Sequence, residues 1–352
     1  MARFIGSRLF SGLLVVWGIV TMLFLIFNLL GSPAEAMTSE NTDAATRQAI
    51  EQAYRLDRSL FVQYLYYLND LSPIGMVDHF EKDASEIHHW RLFGLGTGKC
   101  MGLKLPWLRR SFQNNRMVTE RLVEHLPGTV ILSVAALVFA TGIGLPLGIV
   151  SALRKGQWLD RLITFLTLLG VSAPSFFMAV LIIRIFAVDL GAWTGLQGSG
   201  YLWEEAIFGS GYRLSPESLI LPTLALGLRP LSIITQLTRS SMGDALSEDY
   251  VRTARAKGLN ESVVLIRHAL RNAVNPVLTS ISGWFASLLA GAFFIETIFN
   301  WQGLGKLTID ALHAKDYPMI IGSAILIGVV FVVINIIVDI LYTWVDPRVR
   351  LG

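Results

Sequence analysis

Long apolar runs separated by short polar connections dominate the chain. About six of them have the roughly 20 mainly apolar residues that a helix needs to cross a bilayer. They are Leu9–Leu30, Thr129–Leu153, Leu162–Val188, Leu219–Leu237, Val277–Phe299 and Met319–Val345. Strand alternation is absent, and a spanning sheet has to close into a barrel of short alternating segments. The pattern predicts an all-α fold: a polytopic transmembrane helical bundle with an outer domain between spans one and two.

Basic residues orient the bundle. Arg3 and Arg8 precede span one; Arg154, Lys155 and Arg161 lie between spans two and three. Arg239, Arg252, Arg255, Lys257, Arg267 and Arg271 lie between spans four and five, and Arg348 and Arg350 follow span six. Alternating spans put all of these on one side, which the positive-inside rule makes cytoplasmic, so both termini are predicted inside. The opposite connections carry only Arg213, Lys306 and Lys315. Residues 1–30 then form the first span, 31–128 an extracytoplasmic segment, and 129–352 a core of five spans with a cytoplasmic loop at 239–276.

Composition removes other classes. Of 352 residues, 16% are charged and 53% hydrophobic, and the mean hydropathy is +0.54. A soluble chain carries about a quarter charged residues, and a disordered one too few apolar ones. A net charge of +3 is too small to imply nucleic-acid binding. The single cysteine, Cys100, excludes an internal disulfide and a cysteine zinc cage. Ala34-Glu35-Ala36 after an apolar run looks like a signal cleavage site, but signal cores run about 7–15 residues and Leu9–Leu30 is a full span. A retained helix is expected.

Before span two, Met117, Leu122, Val123 and Leu126 recur near helical period among Glu120, Arg121, Glu124 and His125. The spacing predicts a short helix over about 114–127, ending at Pro127, either at the outer interface or packed within the outer domain. Gly142, Gly144 and Gly148, with Pro146 among them, mark a face for close helix packing.

The stretch Ser240–Pro276 is the most informative. Residues up to Lys257 favour helix, Gly258 supplies a left-handed end, and Asn260 or Ser262 can cap a second helix ending near Asn275-Pro276. In a soluble protein such a basic helix–turn–helix would suggest DNA binding; between membrane spans it could touch anionic lipid. Arg252-Thr253-Ala254, Gly258 and His268-Ala269-Leu270-Arg271 stand at the E-A-A, glycine and second-part positions of a known loop pattern. On those residues the chain resembles the permeases of ABC importers. With Arg239-Ser240-Ser241, Glu296–Gly305 and Asp346-Pro347-Arg348, it resembles the first permease subunit of dipeptide, oligopeptide and nickel uptake systems. The segment from about Ile74 to Arg110 does not fit that pattern and reads as extra outer sequence.

The resemblance implies a second permease, two cytoplasmic ATPase subunits and an extracytoplasmic solute-binding protein as partners in the lipid bilayer. It implies that this chain binds no cofactor, ATP and Mg²⁺ being used by the ATPases. It places the ATPase contact on a coupling helix at about Ala245–Gly258, with Asp249, Tyr250, Val251, Arg252, Ala254, Arg255, Ala256, Lys257, Gly258 and Leu259 as its residues. It sets the Gly303–Tyr317 connection, with Trp301, Gly303 and Gly305 at its start, toward the binding protein.

Ionisable residues inside spans are costly and mark candidate sites. Arg184, Arg229, Glu296 and Asp339 qualify. Arg229 is expected either to face the translocation path and meet a carboxylate, of passing peptide or of Glu296, or to form a static buried pair. Arg184 and Asp339 suit snorkelling or helix pairing. No catalytic residues are expected. Gly98-Lys99-Cys100 has Phe93 at the first glycine of a phosphate loop and no hydroxyl residue after the lysine. Gly170–Pro174 lacks the second glycine of a nucleophile elbow. Asp78, His79, His88 and His89 meet no metal-ligand spacing. A subunit of an ATP-driven importer, for peptides or for nickel or another small solute, is the leading reading; a self-sufficient secondary transporter is the alternative.

Overall fold

In the computed structural model the described residues are 2–29, 57–78, 89–94, 99–201, 203–205 and 212–345. Ala34–Ala36, His79, His88 and the Asp346–Arg348 string lie outside them. The chain opens with helix α1 (Ala2–Leu29). Helix α2 (Leu60–Leu71) precedes strands β1 (Ile74–Asp78), β2 (His89–Gly94) and β3 (Lys99–Lys104). Helices α3 (Val118–Leu153), α4 (Trp158–Ser172) and α5 (Ser175–Ile182) follow, then a π-helical stretch at Ile183–Asp189 and α6 (Gly191–Thr194). A two-stranded ribbon, β4 (Trp203–Glu205) and β5 (Tyr212–Leu214), leads to α7 (Glu217–Ser247) and α8 (Asp249–Ala256). Helix α9 (Glu261–Val263), a second π stretch (Val264–Leu270) and α10 (Arg271–Gly291) run on together. Helices α11 (Phe293–Ile298), α12 (Leu304–His313) and α13 (Tyr317–Val345) complete the chain.

Among the described residues, α1, α3, α7 and α13 are long and apolar enough to cross a membrane, and the α4–α5 pair, with its π extension, is apolar and long enough only when taken together, as a broken span or a re-entrant loop. That pair is bent by 110°. The run expected as span three is therefore not one straight helix, and Pro174 explains the bend. It removes an amide donor, and Ala173 before it adopts the extended angles that a following proline favours (φ −75°, ψ 133°). The run expected as span five divides at Ala292 into α10 and α11.

Three expected boundaries move: two helices run on past a proline, and one is shorter than expected. No separate helix ends at Pro127; α3 passes through Pro127 and Pro146 for 36 residues. The helix after Asn260 passes Pro276 and continues to Gly291 with every junction residue in right-handed helical angles. The helix before Gly258 is interrupted at Glu248 (ψ 148°), so the element there is Asp249–Ala256 rather than Ala245–Gly258. A helix-interior proline costs one hydrogen bond, and packing along the rest of a long helix outweighs it.

By its internal contacts the chain divides into two compact units. One takes in residues 125–309 with the two terminal stretches. Its core joins Leu132 and Ala136 of α3, Ala179 and Ile182 of α5, Leu221 and Ala225 of α7, Leu288 of α10, and Ile295, Phe299 and Trp301. Gly144 and Gly148 let α3 press on α7: a Cβ on Gly144 would meet the Leu231 carbonyl oxygen at 2.9 Å, and one on Gly148 would meet Thr238 Cβ at 2.5 Å. Gly142 has open space and plays no part in that seam.

The other unit holds residues 11–124 and 310–329. Here β1, β3 and β2 pair antiparallel in that order. This small sheet occupies part of the 74–110 segment and is not signalled by any alternation. Val118 and Leu122 are buried beside Gly322, where a Cβ would meet Val118 Cγ1 at 2.5 Å. Asp316 accepts hydrogen bonds from the Ser111 hydroxyl and, at 3.1 Å, from the Phe112 amide, tying the start of α13 to the 111–112 turn.

Replacing Gly148 with Leu is expected to force α3 off α7. Core overpacking costs about 1–3 kcal/mol, read as a lower melting temperature and lower yield of membrane-inserted protein. Gly142→Leu, with nothing within 4 Å, is expected to leave both unchanged.

Candidate functional site

The cytoplasmic loop builds a short, tightly ended helix. Val251 and Ala254 of α8 are buried in a cluster with Ala152, Met242, Ala245, Val264, Ala269 and Ala273, which joins α8 to α3, α7 and the 261–291 helix. The opposite face presents Tyr250, Arg252, Arg255, Ala256 and Lys257 to solvent, with Asp249 paired to Arg252 at 3.1 Å. Small residues at the buried positions let the helix lie close to its neighbours. The polar face follows from the spacing of Arg252, Arg255 and Lys257.

Gly258 has φ +73°. Its amide donates to the Arg255 carbonyl at 2.9 Å, and the Leu259 amide donates to the Ala254 carbonyl at 3.4 Å. These two bonds form a Schellman end, which satisfies carbonyls that the last turn leaves unpaired. No atom lies within 4 Å of a Cβ built on Gly258, so the backbone angle alone demands glycine. Asn260 then caps the next helix, its Oδ1 accepting from the Ser262 amide at 3.3 Å. Arg255 bridges the turn to Glu261 through two hydrogen bonds of 3.2 and 2.7 Å. The Arg255 guanidinium holds the Glu261 carboxyl below the usual range; both groups are exposed, so the pair contributes little to stability.

A clamp that the sequence reading did not identify holds the helices above this loop. Asp160 of α4 is buried and accepts from Arg239 Nε at 2.6 Å, Arg239 Nη2 at 2.9 Å, the Ser151 hydroxyl at 2.5 Å and the Gly156 amide at 2.8 Å. One carboxylate therefore ties the ends of α3, α4 and α7. Arg239 stands in the Arg-Ser-Ser string, but no local spacing identifies an acceptor 79 residues earlier.

The Glu296–Gly305 turn departs from expectation. Glu296 is fully buried, and its oxygens are occupied: Oε1 accepts from the Thr129 hydroxyl at 2.7 Å, and Oε2 from the amides of Gly305 at 2.7 Å and Lys306 at 3.1 Å. The Thr129 hydroxyl in turn accepts from the Leu304 amide at 2.8 Å. The carboxylate thus caps the first turn of α12, where unpaired amides and the helix dipole favour negative charge. Its own helix, α11, ends on Asn300 at φ 52°, with the Asn300 amide on the Thr297 carbonyl and the Trp301 amide on the Glu296 carbonyl. Trp301 is 2% exposed and donates from Nε1 to the Gly128 carbonyl at 2.9 Å. A Cβ on Gly303 would lie 2.3 Å from the Glu296 carboxylate, and one on Gly305 2.9 Å from its Oε2.

These contacts correct two expectations. Trp301, Gly303 and Gly305 are buried and offer no surface to a partner; Asn300 and Gln302 are the exposed residues of that turn. Glu296 does not meet Arg229 either. Arg229 is exposed on α7 and has no hydrogen bond or ion pair among the described residues, so the static pair is absent. Arg184 pairs with Asp189 at 2.9 Å within one π turn, and Asp339 of α13 pairs with Arg8 of α1 at 3.0 Å. Among the described residues no group of His, Cys, Asp or Glu could hold a metal ion.

Glu296→Ala leaves three donors without their acceptor, and each buried group left unsatisfied costs about 1–3 kcal/mol. A marked fall in chain yield and melting temperature is expected. Glu296→Gln keeps one acceptor oxygen and is expected to lose less. Transport per assembled complex should stay near wild type in both variants; a selective transport defect at normal yield would show Glu296 acting on cargo instead.

Comparison with known proteins agrees with this architecture. Residues 144–351 match the family described as binding-protein-dependent transport system inner membrane component, and residues 1–133 match its N-terminal counterpart. The chain is 33% identical to a dipeptide transport system permease protein of Alkalihalophilus pseudofirmus over 99% of this chain and 100% of that one. It is 32% identical to a glutathione transport system permease protein of Salmonella typhimurium over 99% of each chain. It is also 34% identical to a di/tripeptide transport system permease protein of Pseudomonas aeruginosa, again over 99% of each. A solved inward-facing methionine ABC transporter shares the fold, with a TM-score of 0.51 at 16% identity over 65% of this chain and 98% of that one. The chain is therefore a multi-pass protein of the bacterial inner membrane and belongs to the permease subunit family of binding-protein-dependent ABC importers.

Proposed function

We propose that the chain forms one half of the translocation pore of a peptide importer and takes its driving force from a cytoplasmic ATPase through α8. The observation that carries this reading is the form of α8: a capped helix with its inner face buried and Tyr250, Arg252, Arg255 and Lys257 exposed. Tyr250, 37% exposed, is the kind of rigid amphipathic side chain enriched at interface centres. Exposed basic groups steer a partner with acidic rims and set register more than affinity. The peptide cargo is supported by relatives named for dipeptide, di/tripeptide and glutathione transport.

A push on α8 acts on Val251 and Ala254, and through their cluster on α3, α7 and the 261–291 helix. The Asp160–Arg239 clamp adds α4 to the same moving body. Closure of the ATPase thus tilts several spans together, switching the pore between outward- and inward-open states. ATP and Mg²⁺ are used on the partner subunits, and this chain supplies no catalytic group. A second permease completes the pore, and a solute-binding protein delivers cargo at the outer face. Arg229, exposed on α7, faces the pore or the second permease, and its charge suits a peptide carboxylate.

Gly258→Val places a β-branched residue at φ +73° and costs about 1–2 kcal/mol of local strain. It is expected to abolish binding-protein-stimulated ATP hydrolysis and peptide uptake in proteoliposomes. Gly258→Asn is expected to retain most of both, because asparagine tolerates left-handed angles. Normal coupling in the Val variant would refute the role of the capped end. Tyr250→Ala is expected to weaken ATPase co-purification without lowering the yield of this chain. The importer reading itself fails if the isolated chain moves peptide across vesicles with no ATPase present.

A further inference from the structure

The outer segment contains a pocket. Its cavity volume is about 120 Å³, and its walls include Phe24 and Phe27 of α1, Tyr67 of α2, Trp107, Arg109 and Tyr317. Phe24 and Phe27 belong to the outer end of span one, since Arg3 and Arg8 precede that span on the inside. Tyr317 begins α13 at its outer end. Asn28, Pro318 and Ile321 line it from the same two spans, and the other walls come from α2 and the 107–112 segment, outside the spans. The pocket thus joins residues at membrane depth to residues beyond it.

The wall chemistry has two parts. Phe24 stacks at a tilt on Tyr64 and Tyr67 with ring centres 5.2 and 5.6 Å apart, and Phe27 meets Tyr317 edge-on at 5.1 Å. Beside this aromatic surface Arg109 contacts Asp70 at 3.3 Å, and about a third of the Arg109 side chain is exposed. Arg109 is held at φ +64°, a conformation that costs energy for a residue with a Cβ. The Tyr67 hydroxyl is buried with no hydrogen-bond partner among the described residues. Burial raises its pKa, so it keeps its proton and stays a donor.

We infer that this pocket binds one phospholipid of the outer leaflet, with an acyl chain along Phe24, Phe27 and Tyr317 and the phosphate at Arg109 and the Tyr67 hydroxyl. An aromatic surface at membrane depth with a guanidinium at its outer edge matches an amphiphile lying across the boundary. A free anion would make no use of the aromatic walls, and a wholly apolar ligand none of Arg109. Guanidinium groups bind phosphate oxygens through parallel hydrogen bonds.

The assembled transporter in phosphatidylethanolamine/phosphatidylglycerol vesicles can be labelled with a photoactivatable phosphatidylglycerol and, separately, a photoactivatable diacylglycerol. Peptide mapping then reads the label on the stretches containing Phe24–Asn28 and Trp107–Phe112. Arg109→Gln is expected to lower the phosphatidylglycerol label there about tenfold, the factor associated with losing a hydrogen bond to a charged group. The diacylglycerol label should stay unchanged. Leu71→Trp, which fills the space, should lower both labels. The inference is overturned if neither stretch is labelled, if Arg109→Gln changes both labels equally or neither, or if inorganic phosphate at millimolar concentration displaces the lipid label. It is also overturned if Leu71→Trp leaves labelling intact but weakens capture of the solute-loaded binding protein, which would make the pocket a partner's docking site. None of these outcomes depends on the identity of the cargo.

Discussion

A helix that stops where water is scarce must still satisfy the amides of its first turn and the carbonyls of its last. This requirement governs the informative parts of this permease. The α8 end closes on Gly258, the α11 end on Asn300 and the α12 end on Lys315, each with the paired bonds of a Schellman turn and a residue at positive φ. The start of α12 is closed by a carboxylate eight residues before it, Glu296, helped by Thr129 from α3. Each cap holds its helix end in one geometry.

Charge is handled in the same economical way. Buried carboxylates are stable only when their oxygens are fully hydrogen-bonded, and Asp160 and Glu296 have that property. Asp160 accepts from four donors and joins three helices at the cytoplasmic end. Glu296 accepts from a hydroxyl and two amides. Neither has a lone pair conspicuously reserved for cargo. Arg229 has the opposite character, exposed on a helix packed along its other faces, and it is the charge whose position suits contact beyond this chain.

Much of this was legible in the chain itself. Hydrophobic run length marked the spans because no soluble alternative buries so many consecutive apolar residues. Gly258 followed by Asn260 announced a helix end and a new cap because left-handed angles and side-chain capping are local properties. Gly144 and Gly148 announced a packing seam, and α7 is what fills it. The resemblance carried by Arg252–Gly258 and Glu296–Gly305 led to the right family. The second of those strings was misread in its details: its glycines and tryptophan form an internal cap, and the motif describes how the turn is built rather than what it touches.

What sequence alone determined are the properties set within one helical turn or one span: membrane class, orientation by basic residues, the capped end of α8 and the polarity of its faces. Partners far apart along the chain were settled only in three dimensions. Asp160 finds Arg239 across 79 residues and Thr129 finds Glu296 across 167. Prolines 127 and 276 looked like stops, yet the helices run through them, because a proline's local cost is fixed while the packing that offsets it belongs to the assembled bundle. Helix ends obey nearby residues; the choice of which ends meet obeys the shape of the whole.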